Sequence, residues 1–151
     1  MRIAIGADHA GYSLKAHVVK ILHGEGYDVI DLGTFSTEPV DYPDYALSVG
    51  NAILNEDADR GILICGSGAG VTIAANKIRG IRAALCHDAY TAHQSVEHDN
   101  ANVLCLGPRV IGTDLAMDHI HIWLKAEFSG EERHLRRLAK IDSLEEMEAT
   151  S

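Results

Sequence analysis

The chain has 151 residues, 46% of them apolar and 23% charged, which suits one α/β domain with a buried core and excludes a disordered chain. Its net charge of −9 argues against nonspecific binding to nucleic acid or anionic lipid, and no apolar run approaches the ~20 residues of a membrane span. Three cysteines, each ending an apolar strand-like run, cannot all pair, and they point to a reducing, cytoplasmic setting.

Short apolar runs alternate with amphipathic stretches along the whole chain. The start, Met1-Arg2-Ile3-Ala4-Ile5-Gly6, reads as a first strand rather than a signal peptide. Strands are predicted over residues 2–6, 28–32, 61–65, 82–85 and 103–106. Helices are predicted over 11–25, 43–55, 71–77, 89–98, 113–127 and 130–148. Five strands alternating with helices imply right-handed crossovers and a parallel sheet covered on both faces. The predicted fold is therefore α/β: a three-layer α/β/α sandwich on a five-stranded, Rossmann-like parallel sheet, with a C-terminal helical extension. Ligands of such sheets bind beyond the C-terminal strand ends, near a topological switch point.

The strand ends are where chemistry is expected. After the first strand comes Gly6-Ala7-Asp8-His9-Ala10-Gly11, where Asp8 either holds ligand hydroxyls or caps the next helix and His9 is placed to face an anion. The second strand leads to Asp41-Tyr42-Pro43-Asp44, with Pro43 suited to a first helical position and Asp44 beside the positive end of the helix dipole. The third strand, Ile62-Leu63-Ile64, delivers Cys65-Gly66-Ser67-Gly68-Ala69-Gly70. Glycines let that backbone turn sharply and approach a ligand, and the helix that follows offers free N–H groups to a thiolate, a phosphate or a developing oxyanion. A buried cysteine before an ordinary Gly-rich loop explains the same string.

Further on, the fourth strand ends in Cys86-His87-Asp88, and its helix runs out at Glu97-His98-Asp99-Asn100. Arg109 follows Leu106-Gly107-Pro108 at the end of the fifth strand and is positioned for an anion. In the last helix Arg133 and Arg137 share one face, where they either grip a phosphate or form a solvated surface with Glu131 and Glu132. Nine histidines invite a metal, but no His-Glu-x-x-His, Cys-x-x-Cys or calcium-type acidic spacing is present, so none is expected. His119 and His121 point to different helix faces, and His17, His23, His93 and His134 read as ordinary positions.

Taken in order, these motifs resemble ribose-5-phosphate isomerase type B, the family that also includes galactose-6-phosphate isomerase subunits. The likeness runs nearly end to end, through Ala74-Ala75-Asn76-Lys77, Asn102-Val103-Leu104 and Gly107-Pro108-Arg109-Val110-Ile111-Gly112 as well. It implies a cofactor-free aldose–ketose isomerase of the pentose phosphate pathway, working through a cis-enediolate on a phosphorylated sugar. It also implies roles. Cys65 becomes the base, Ser67 and the amides at Gly66, Gly68 and Gly70 hold the enediolate oxygen, and His98 opens the sugar ring with Asp44 as helper. Asp8, Tyr42 and Asp99 become sugar contacts, and His9, Arg109, Arg133 and Arg137 the phosphate cradle. Family members are dimers or tetramers with sites shared between subunits, so a single domain over 1–151 is expected, with 130–151 packing on a partner subunit.

The chain departs from common family patterns at three places. Ser67 stands where threonine is frequent, and the apolar Val71 stands where some members carry a glutamate base, which leaves Cys65 in that role. Asp99 follows His98 where many relatives have asparagine, and it opens tetrose 4-phosphate, allose 6-phosphate or galactose 6-phosphate as substrates beside ribose 5-phosphate. A nucleotide-binding module is the remote alternative, but the glycine string lacks the dinucleotide spacing and follows the third strand rather than the first.

Overall fold

The computed structural model describes the backbone of residues 1–150 and the side chains of residues 1–147; Ser151, at the end of the predicted terminal segment, lies outside the described residues. Strands β1 (Arg2–Ala7), β2 (Asp28–Asp31), β3 (Arg60–Ile64), β4 (Ala83–Leu85) and β5 (Val103–Leu106) form one parallel sheet in the order β2-β1-β3-β5-β4. Between and after them run α1 (Tyr12–Gly24), α2 (Tyr42–Leu54), α3 (Ala69–Ala75), α4 (Ala89–Glu97), α5 (Thr113–Lys125) and α6 (Glu132–Thr150).

Side chains of a strand alternate between the two faces of its sheet, and here both faces are apolar, as buried parallel sheets require. Ile3, Ile5, Ile62, Ile64, Leu104 and Leu106 point to one face, where α1, α4 and α5 cover them with Val18, Leu22, Val96, Ile120 and Trp123. Ala4, Leu63, Cys65, Val103 and Cys105 point to the other, against Ala46 and Val49 of α2 and Val71 and Ala75 of α3. Small residues let α2 lie close: a Cβ on Gly61 would stand 2.4 Å from Val49.

The ends of the helices follow from local chemistry. Pro43 sits in the first turn of α2 behind an extended Asp41, as its fixed φ and missing N–H favour. Helix α3 begins at Ala69, two residues before the predicted start at 71, because Gly68 adopts φ +83° and turns the chain directly into the helix. Arg60, at the start of β3, donates to the carbonyls of Trp123 (2.7 Å) and Ala126 (2.8 Å) and so ties the end of α5 to the N-terminal edge of the sheet. Two contacts hold the segment after α5 at that edge. Ser129 N–H bonds Glu97 O at 3.0 Å, and Gly80 N–H reaches the Glu145 carboxylate of α6 at 3.2 Å. None of the described helices is long and apolar enough to cross a membrane.

Candidate active site

The chain leaves β1 toward β2, while β3 lies on the other side of β1, so the strand order reverses between them and opens a crevice at their C-terminal ends. Asp8 and Cys65 flank it. Asp8 N–H donates to Ile64 O at 3.2 Å, and a Cβ on Gly11 would stand 2.5 Å from that same oxygen, so the two strand ends are pressed together. The buried Asp8 carboxylate accepts the Gly11 N–H at 3.1 Å. It shapes the turn before α1, whose N-cap residue Gly11 has no side-chain cap of its own. His9 Nδ1 accepts the Val40 N–H at 3.1 Å, which leaves the proton of the neutral ring on Nε2.

Cys65 is a free thiol, 5% exposed, at the mouth of the glycine turn. Each glycine of that turn sits where another element crosses it. A Cβ on Gly66 would be 2.9 Å from the Arg109 guanidinium, on Gly68 2.9 Å from the Leu106 backbone, and on Gly70 2.7 Å from the Tyr42 ring. Arg109 N–H donates to Gly66 O at 3.0 Å, locking the turns after β3 and β5 together. The Ser67 hydroxyl is exposed and accepts the Ala69 N–H at 3.3 Å. The N–H groups of Ser67 and Gly68 meet no acceptor among the described residues, so they are available to an oxyanion. Burial pushes the other two thiols up, Cys86 to about 11 and Cys105 to about 12, and both stay protonated at neutral pH. Asp44 lies exposed in the first turn of α2.

A second cluster forms at the opposite end of the sheet. His98 caps the C-terminus of α4, and its ring stacks on that of His134 of α6 with centroids 4.3 Å apart. Gln94 Nε2 lies 3.2 Å from His98 Nδ1, and Ser129 Oγ 2.5 Å from His134 Nδ1. Burial first, and then the His98 ring, hold His134 below the ordinary imidazole range. Arg133 pairs with Glu131, whereas Arg137 has no ion-pair partner among the described residues. Asp99 lies beside an open cleft of about 790 Å³ between α6 and the β4 edge, lined also by Ile81, Ala83, Ile141 and Leu144.

The residues singled out in the sequence thus fall into two groups. Asp8, His9, Tyr42, Asp44, Cys65, Gly66, Ser67, Gly68, Gly70 and Arg109 gather at the C-terminal end of the sheet, and His98, Asp99, Arg133 and Arg137 at its N-terminal end. β5 is four residues long, so at ~3.3 Å per residue the groups stand more than about 10 Å apart within one chain. Neither Cys65 nor Asp44 meets His98 of its own chain. Three residues escaped the sequence reading. His134, read as an ordinary position, is buried against His98; His87 accepts the Gly107 N–H at 3.0 Å; Lys15, 1% exposed, pairs with Asp31 at 2.7 Å. An isolated histidine or lysine on a helix gives no periodic signal, and only the fold supplies their partners.

A thiol and unengaged amides at the switch point of a parallel sheet, with Arg109 in one cluster and Arg137 in the other lacking ion-pair partners among the described residues, define an enzyme for a small anionic molecule. The chain belongs to the Ribose/Galactose Isomerase family of aldose–ketose isomerases, whose model matches residues 3–141. It is 46% identical over 145 residues to ribose-5-phosphate isomerase B of Escherichia coli, covering 96% of this chain and 97% of that one. It is also 46% identical over 132 residues to a D-erythrulose-4-phosphate isomerase of Pectobacterium atrosepticum, covering 86% of each chain. The fold superimposes on a ribose-5-phosphate isomerase B structure from Clostridium thermocellum with a TM-score of 0.95 and 52% identity, covering 97% of this chain and 99% of that one.

Proposed function

We propose that this enzyme interconverts ribose 5-phosphate and ribulose 5-phosphate through a cis-enediolate, in sites that two copies of the chain build together. The observation that carries the reading is the free thiol of Cys65 beside the unengaged amides of Ser67 and Gly68, in the crevice between β1 and β3. The relatives named ribose-5-phosphate isomerase B support the five-carbon substrate.

The chemistry follows from these groups. The partner's His98 moves a proton between the ring oxygen and the anomeric hydroxyl, which opens the sugar. Asp44 of the first copy orients that imidazole. The Cys65 thiolate then takes the proton from C2, the C2–H electron pair forms the C1–C2 double bond, and negative charge develops on the oxygen at C1. Ser67 and the turn amides hold that charge. The C2 hydroxyl passes its proton to the oxyanion at O1 and becomes the ketone as Cys65 returns its proton to C1, so the thiolate is regenerated and atoms and charge balance with no cofactor. Asp8, Tyr42 and the partner's Asp99 bind sugar hydroxyls, and His9, Arg109 and the partner's Arg133 and Arg137 bind the phosphate. Two copies are required because a single chain keeps His98 and Cys65 at opposite ends of its sheet. The apolar α6 residues Leu135, Ile141 and Leu144, each at least 42% exposed, suit burial against that second copy, and the three free thiols suit a reducing cytoplasm.

A panel of phosphorylated tetroses, pentoses and hexoses, compared by kcat/KM, tests the substrate. Preference for ribose 5-phosphate is expected. A preference for a tetrose 4-phosphate would move the chain to the activity named for the Pectobacterium relative and give Asp99 the discriminating role.

A further inference from the structure

The turn 107–109 is held from behind by a histidine to which the chemistry above assigns no part. His87 follows β4, and its Nε2 accepts the Gly107 N–H at 3.0 Å. Gly107 in turn lies flush on the glycine turn: a Cβ there would stand 2.3 Å from Gly66 O and 2.5 Å from the Ser67 backbone. Two residues later Arg109 N–H bonds Gly66 O at 3.0 Å, and its guanidinium lies over Gly66. The His87 acceptor is therefore the side-chain contact, beside the Arg109 bond to Gly66 O, that holds the turn carrying Arg109 and backing the Ser67 amide.

We propose that His87 is a positioning residue for the isomerisation, its Nε2 lone pair fixing the 107–109 turn and through it the oxyanion-holding backbone at Gly66 and Ser67 and the anion-facing Arg109. This rests on the reading of the glycine turn as the oxyanion-holding end of the site. The role demands the neutral ring with its proton on Nδ1, because a protonated ring would turn a donor toward the Gly107 N–H and release the turn.

The surroundings favour that form. His87 is partly buried behind the turn; His119 faces it from α5 and Asp88 from the start of α4, while Arg109, two residues past Gly107, extends over Gly66. Burial and His119 hold the His87 imidazole below its usual range, outweighing the opposite pull of Asp88. His119 is itself 6% exposed, with a buried Nδ1 that meets no hydrogen-bond partner among the described residues.

Two variants test this. In His87→Gln the amide oxygen can replace Nε2 as acceptor and does not titrate, whereas His87→Ala removes the acceptor. His87→Ala is expected to lower kcat about tenfold with a smaller change in KM, since small displacements of catalytic donors act on the transition state. His87→Gln is expected to restore most of kcat and to gain on the unmodified enzyme as the pH falls through the imidazole range. A kcat for His87→Ala within twofold of the unmodified enzyme, or a pH-independent ratio between His87→Gln and the unmodified enzyme, overturns the proposal. Nitrogen-15 shifts of the His87 ring in the unmodified protein provide a readout independent of turnover and of variant folding. An unprotonated Nε2 at neutral pH supports the assignment, and a protonated Nε2 overturns it. Failure here leaves the Cys65 reading intact, because loss of activity in Cys65→Ala does not depend on His87.

Discussion

The two ends of the sheet carry the same kinds of group in opposite states of readiness. At the C-terminal end the thiol, the turn amides and Arg109 stand close together, braced by backbone hydrogen bonds and by glycines that admit no Cβ. At the N-terminal end His98, His134, Arg133 and Arg137 lie on or against a helix whose apolar Leu135, Ile141 and Leu144 are exposed. On the reading proposed above, the first end supplies the carbon base and the oxyanion donors, and the second supplies His98 for ring opening together with Arg137, which has no ion-pair partner among the described residues. On that same reading each is half of a site, and the catalytic unit is a pair of chains in which one copy's C-terminal sheet end meets the other copy's helix.

The largest effect is expected from the thiol. Cys65→Ala should lower kcat by about 10³-fold and leave KM nearly unchanged, the loss of a general base acting on the chemical step alone. Isothermal titration with ribose 5-phosphate would show whether binding survives; near-normal turnover would remove Cys65 from the reaction. Arg137→Ala, at the other end, should instead raise KM by about 10–100-fold with a lesser change in kcat, as a charge-assisted phosphate contact is lost. An unchanged KM would take α6 out of the phosphate cradle.

Smaller effects separate rigidity from chemistry. Gly68→Ala should destabilise the fold by about 1–3 kcal/mol, because Gly68 holds φ +83° and an added Cβ meets the Leu106 backbone at 2.9 Å. Thermal denaturation reads that loss directly, and an unchanged melting temperature would mean that the turn is not braced. The smallest expected effect is on pH. His134 and His87 both titrate below their unfolded range, so the unfolded chain binds more protons and stability rises with pH through that window. Stability should be complete above about pH 6.5 and fall as the pH drops through the folded values, and His134→Gln should flatten that slope. A slope unaltered by the substitution would contradict the burial assigned to His134.

Much of this was legible in the chain. Each of the five strands falls within two residues of its predicted span, because near-continuous apolar runs such as Ile62-Leu63-Ile64 have no alternative in a sheet buried on both faces. The motifs at the C-terminal strand ends were equally legible, since Asp8, Cys65 and Arg109 follow strands whose direction is set by topology. The strand order was not, because nothing local to residues 83–85 says that β4 pairs outside β5. The division of the site came only from the resemblance, which implies sites shared between subunits; the residues read by themselves did not set Cys65 and His98 at opposite ends of the sheet. His134 and His87 were missed for the same reason: their partners, His98 and Gly107, come from distant elements of the fold.

The claim that two half-sites make one site is tested most directly by mixing inactive chains. Cys65→Ala and His98→Asn variants, unfolded together and refolded at equal amounts, form a mixed pair in which one site carries both lesions and the other carries neither. With native mass spectrometry to verify the mixed species, about a quarter of the unmodified activity should return if copies pair at random about a two-fold axis. Mixed pairs that form and stay inactive would contradict the account.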